Sequence, residues 1–181
     1  MKKRFYSFCF WLFGWKLMGG KPDVSKFILI LAPHTSNYDF FLGLAARSIS
    51  GLDSGFLAKS SLFTIPVIGR IMKAFGGHPV DRSKKTNLVD QVVALYERHE
   101  EFVITITPEG TRSYNPNWKT GFYRIAIKAD IPIVMVSFDF EKKVVEYREP
   151  FYPTGDLEAD LEYIKSYYRT IKGRHPEQGV L

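Results

Sequence analysis

Three short apolar runs constrain this chain more than any other feature. They are KFILILA (26–32), EFVITIT (101–107) and IPIVMVSFDF (131–140). Each is rich in β-branched residues and too short for a buried helix, so each reads as a buried strand. The stretches between them have a different period. FFLGLAARSI (40–49) and GFYRIAIKAD (121–130) read as helices. Leu88, Val92, Leu95 and Tyr96 mark one apolar stripe at offsets 4, 7 and 8. Leu157, Leu161, Ile164, Tyr168 and Ile171 mark a last amphipathic helix. GFLAK (55–59) and HPVDR (78–82) add two brief strands, and 61–77 is mixed helix and turn, broken at Pro66 and ended at Gly76–Gly77. KVVEYREPF (143–151) reads as the hairpin partner of the strand before it. Strands that alternate with helices give an α/β fold: a single-domain mixed, mostly parallel sheet flanked by helices. At 181 residues, with no repeat and no linker, one domain is expected.

The net charge of +6 is unevenly placed. Residues 1–26 carry six cations against Asp23 alone, or +5, which leaves the remaining 155 residues near neutral. That argues against a basic face spread over the fold for nucleic acid, and the aromatic run argues against nucleic-acid binding by the basic segment alone. The single cysteine, Cys9, excludes an internal disulfide and a cysteine metal cluster.

The basic segment is also aromatic: seven of residues 5–15 are Phe, Tyr or Trp. Its apolar run stops at Lys16, well short of the roughly 20 residues a spanning helix needs. Aromatic rings favour the headgroup boundary and lysines attract anionic lipid. Residues 1–25 are therefore expected as an aromatic helix lying in a membrane interface. A signal peptide and a helix packed on the core are the alternatives. Residues 26–172 are expected as the folded domain, and 173–181 as a flexible tail.

Polar residues concentrate where the strands end. LAPHTSNYDFF (31–41) leaves the first strand through Pro33 and then places His34 and Asp39. In open α/β sheets, ligands bind beyond the carboxyl ends of strands. Five residues on a regular helix turn side chains about 140° apart. His34 and Asp39 can therefore meet only if 34–38 form a turn into a helix, with Ser36 or Asn37 at its cap. A carboxylate on one imidazole nitrogen fixes the tautomer and leaves the other nitrogen as a base. No G-x-S-x-G elbow supplies a nucleophile, so such a base would act on a substrate hydroxyl directly. The bland alternative is a loop histidine beside a helix-capping aspartate.

ITPEGTRS (106–113) leaves the second strand in the same manner. Arg112 offers a planar fork suited to phosphate. Thr111, Ser113 and the backbone near Gly110 add donors, and Glu109 is placed to shape the loop or position a hydroxyl. GGHPVDR (76–82) brings Arg82 off another short strand.

HTSNYD resembles the H-x4-D motif of the glycerophosphate and lysophosphatidate acyltransferase family. PEGTRS matches that family's E-G-T-R-S block, GGHPVDR is similar to its second block and IPIVMV to its fourth. AKSSLFTIPVIG (58–69) and WKTGF (118–122) resemble family segments at their lysine, proline and glycine positions. The chain departs from the family pattern at His78, Pro79 and Met135.

The resemblance implies a glycerol-3-phosphate acyltransferase-like fold and acyl transfer from acyl-CoA or acyl carrier protein to a lyso-lipid hydroxyl. His34 would be the general base and Asp39 its orienting acid. Arg82, Glu109, Gly110, Thr111, Arg112 and Ser113 would form the acceptor-phosphate site, with Lys59 a further contact. No metal or bound cofactor is implied. The implied partners are a lipid acceptor, the acyl thioester and a membrane surface, at whose cytoplasmic face the protein would sit as a peripheral or monotopic enzyme. Lysophosphatidate is the default acceptor. An amino-acid-containing lyso-lipid and a non-catalytic lipid-binding role are the alternatives.

Overall fold

The computed structural model describes residues 2–81 and 88–181. Its strands are β1 (Lys16–Met18), β2 (Lys26–Leu31), β3 (Ser54–Lys59), β4 (Gly77–Val80), β5 (Phe102–Ile106), β6 (Ile133–Asp139) and β7 (Val144–Tyr147). They form one sheet in the order β1-β7-β6-β2-β5-β3-β4. Every neighbouring pair is parallel except β6 and β7, the expected hairpin.

The sheet's apolar runs are continuous because both faces are covered. On β2, Phe27, Leu29 and Leu31 point into one layer and Ile28 and Ile30 into the other, the period of two that a pleated strand imposes. The first layer is closed by α1 (Lys2–Leu12) and α2 (Tyr38–Ser50). Two helices, α3 (Ser60–Phe63) and α4 (Pro66–Ala74), carry β3 across to β4; Pro66 starts the second of them rather than breaking a helix. The opposite layer is closed by α5 (Leu88–Arg98), α6 (Gly121–Ala129) and α7 (Leu157–Tyr168). On α5, Val92 and Tyr96 are buried while Leu88 and Leu95 pack at the edge of the same core, as the stripe predicts. Asp156 caps α7, its Oδ1 accepting from the amides of Glu158 and Ala159 at 3.1 Å each.

Buried tyrosines tie the helices to the centre of the sheet. The Tyr96 hydroxyl donates to the Phe27 carbonyl at 2.8 Å. The Tyr168 hydroxyl donates to the Ile30 carbonyl at 2.8 Å, with the Val136 carbonyl at 3.2 Å.

Both chain ends make contacts with the sheet and its helices. The aromatic segment is not separate from the domain: Phe10 is buried in the α2 layer, Trp15 packs edge-on against Phe140 at 5.1 Å, and β1 extends the sheet beside β7. A three-residue edge strand carries no readable period, which hid β1 in the sequence. Residues 173–181 also have partners. Gly173 and Gly179 are buried, Pro176–Gln178 forms a short 3₁₀ turn, and the Leu181 carbonyl accepts from Arg169 Nε at 2.9 Å. Polar composition concealed the fact that this segment has backbone partners.

Candidate active site

β2 and β5 are neighbours, with Ile30 opposite Ile106. The segments leaving their carboxyl ends therefore start side by side, and the sheet alone brings HTSNYD and PEGTRS together. The joining contact is direct: the His34 backbone N–H donates to Glu109 Oε1 at 3.0 Å.

α2 begins only at Tyr38, so residues 34–37 are free to turn back on it. Asp39 lies in the first turn of α2, buried at 2% exposure. Its Oδ2 accepts three hydrogen bonds: from the amides of Thr35 and Ser36 at 3.1 Å each, and from His34 Nδ1–H at 2.9 Å. Ser36 Oγ takes the Tyr38 amide at 3.2 Å, whereas the Asn37 side chain makes no capping bond. With Nδ1 committed as a donor to a carboxylate, the lone pair of His34 lies on Nε2. A base with one nitrogen oriented and the other open is the arrangement for removing a hydroxyl proton.

Glu109 is almost fully buried, and its Oε2 has no hydrogen-bond partner among the described residues. Burial pushes its carboxyl above the ordinary value of 4.5, against the opposing pull of backbone hydrogen bonds. Its own carbonyl is held by Asn115 Nδ2 at 2.8 Å, so the loop is fixed from both sides. Glu109 therefore braces the His34 loop. Gly110 has φ +66°, a left-handed backbone that favours glycine.

A cavity of about 290 Å³ lies over the α2 face of the sheet and reaches the turns after β2 and β5. His34, Asp39 and Arg112 all line it, and its floor is apolar: Leu29, Leu31, Val136 and Phe138. Burial pushes the phenol of Tyr147, another lining residue, up to about 12, so it stays neutral there. Arg112 is exposed at this cavity, and Thr111 and Ser113 lie exposed beside it, the Ser113 amide donating to Thr111 Oγ1 at 3.3 Å. Lys59 is exposed at the end of β3 and is not among the lining residues. Arg82 lies outside the described residues.

Arg47, the backbone amides of Thr35 and Ser36, and the C-terminal turn contribute in ways the sequence did not signal. Arg47 lines the cavity from α2, donating to the Phe75 carbonyl at 3.0 Å and pairing with Asp53. Thr35 and Ser36 act through backbone amides, which composition does not report. The C-terminal turn reaches back: the His175 amide donates to Thr35 Oγ1 at 3.2 Å.

Residues 21–139 match a protein family described as Acyltransferase. The 1-acyl-sn-glycerol-3-phosphate acyltransferase of Escherichia coli (strain K12) is 31% identical over 133 residues, covering 69% of this chain and 53% of that protein. The Saccharomyces cerevisiae protein of the same description is 30% identical over 128 residues, covering 67% and 41%. The chain thus spans about half the length of such relatives, or less. A crystal structure of the 1-acyl-sn-glycerophosphate (LPA) acyltransferase PlsC from Thermotoga maritima superposes with TM-score 0.62 over 92% of this chain and 74% of that one. At 20% identity that likeness is one of fold.

Proposed function

The chain belongs to the acyltransferase family, and from that premise we propose that it moves a fatty acyl group from an acyl thioester to the hydroxyl of a lysophospholipid such as lysophosphatidate. The observation that carries this reading is the 2.9 Å His34–Asp39 contact at the mouth of a cavity that Arg112 also lines.

His34 Nε2 takes the proton from the acceptor hydroxyl. The oxygen attacks the thioester carbonyl and forms a tetrahedral oxyanion. The C–S bond then breaks, and the proton on His34 passes to the leaving sulfur. No acyl-enzyme forms, and the thioester, from CoA or acyl carrier protein, is a co-substrate. Asp39 holds the imidazole in one tautomer and stabilises the transient imidazolium. Arg112 offers its fork to the acceptor phosphate, with Gly110, Thr111 and Ser113 shaping that loop and Arg82 and Lys59 as further cations. General-base assistance is typically worth about 10²–10⁴ in rate, and positioning both reactants contributes more. The apolar floor suits an acyl chain.

We place α1 at a bilayer interface. Phe5, Phe8, Trp11 and Leu12 are exposed on it and Phe13 just after it, and no helix among the described residues is long and apolar enough to cross a membrane. The reading is tested by mixing purified protein with acyl-CoA and lysophosphatidate and following thiol release. Release that requires the acceptor and vanishes in His34→Ala supports it. An acceptor-independent signal, or none, sinks it.

A further inference from the structure

A second cavity, of about 480 Å³, lies between α1 and α2. Its walls are apolar: Phe10, Phe13, Trp15, Phe41, Ala45 and Phe140. No acidic side chain lines it, but Lys143 and Arg174 do. Lys143 Nζ donates to the Phe13 carbonyl at 3.1 Å and keeps two donors. The Arg174 guanidinium stacks 3.6 Å over the Tyr38 ring, which uses its face and leaves its N–H edges. Among the described residues neither cation has a carboxylate at ion-pair distance.

A helix packed on a core needs one apolar face, and α1 has two. Phe8, Trp11 and Leu12 are exposed and stand outside this groove, while Phe10 and Cys9 line it. A bilayer would cover the outer face and leave the inner groove to be filled. A second copy of α1 is a poor occupant, since its Lys3 and Arg4 would add cations to a groove that already holds Lys143 and Arg174. A hydrocarbon chain with an anionic head matches both the walls and the charges.

We propose that the groove between α1 and α2 holds one acyl chain of an anionic bilayer phospholipid, with its phosphate against Arg174 and Lys143. This rests on the reading that the protein works at a membrane surface. Its consequence is orientation. α2 presents Tyr38, Phe41 and Ala45 to the groove and Asp39, Phe40 and Gly43 to the His34 cavity, and Leu44 lines both. A lipid seated in the groove would hold the catalytic cavity one helix away from the bilayer.

The test is photo-crosslinking in vesicles that carry phosphatidate or phosphatidylcholine with a diazirine in the acyl chain, followed by peptide mapping. Phosphatidate adducts are expected at Ala45 and Phe140, which an ordinary interfacial helix keeps out of lipid. Phosphatidylcholine adducts there should be several-fold fewer. In Lys143→Gln/Arg174→Gln the phosphatidate yield should fall about fivefold per cation removed. Adducts confined to Phe8, Trp11 and Leu12, or equal yields from the two lipids at Phe140, overturn the proposal. The map needs no turnover, so it is also run on His34→Ala. Adducts at Phe140 without acyl transfer by the unsubstituted protein would sink the enzymatic reading alone; transfer without those adducts would sink the groove alone.

Discussion

Gly173 packs under Thr35 so closely that a β-carbon there would lie 2.7 Å from Thr35 Oγ1 and 3.2 Å from Pro33 Cγ. Two residues on, the His175 amide donates to the same Thr35 oxygen. The Thr35 amide in turn donates to Asp39 Oδ2, which orients His34. The C-terminal turn therefore supports the proposed base through Thr35 and Asp39, and it lies outside the span that matches the family.

Gly173→Val should displace Thr35 and loosen the Asp39 carboxylate. The expected result is a kcat lowered about tenfold or more with acceptor KM little changed, because a small misplacement of a reacting group is costly. Thr35→Ser keeps the oxygen and should retain most activity, whereas Thr35→Val should not. Steady-state kinetics alongside thermal unfolding separates this from simple destabilisation; an unchanged kcat in a folded Gly173→Val protein would show that the turn is packing only.

His34→Ala should lower acyl transfer by about 10²–10⁴ and leave Tm near that of the parent, since the backbone N–H to Glu109 survives the change. Asp39→Asn should be comparably severe in rate. It should also cost about 1–3 kcal/mol in stability, because it disturbs a buried acceptor serving three donors. Paired rate and denaturant measurements on both variants check the contrast.

Burial raises the Glu109 carboxyl, so the folded state binds its proton more tightly than the unfolded chain does. Stability from this group is present below the ordinary value of 4.5 and is lost as pH rises through the higher folded value. Glu109→Gln should remove that decline. Unfolding free energies measured in urea from pH 4 upward should fall less steeply for the variant; parallel curves would contradict the assignment.

Arg112→Ala should raise the acceptor KM about 10-fold to 100-fold, the range for loss of a charged hydrogen bond, with a smaller effect on kcat. Arg112→Lys should recover only part of the loss, because an ammonium lacks the planar fork. An acceptor KM unmoved by either substitution would remove Arg112 from the phosphate site.

Much of the fold was legible because strand and helix periods are local. The runs 26–32, 101–107 and 131–140 became β2, β5 and β6, and the stripe at Leu88, Val92, Leu95 and Tyr96 became the buried side of α5. Local pattern failed at β1, where three residues show no period, and at 173–181, where the structure lies in backbone hydrogen bonds that polar composition does not reveal. His34, Asp39 and Arg112 were legible as chemistry placed after strands. Arg47 was not, because an arginine late in a helix ordinarily reads as a solvated side chain.

The sequence by itself determined most of the strands and helices, and it placed an imidazole, a carboxylate and a guanidinium just after two of those strands, because propensity and period act over a few residues. Only the tertiary structure decided that those groups face one cavity. That depends on β5 pairing with β2 across some 75 residues of chain, and on α2 starting late enough for Asp39 to reach back to His34. Pairing partners and helix starts are settled by burial of whole layers, which no single segment specifies.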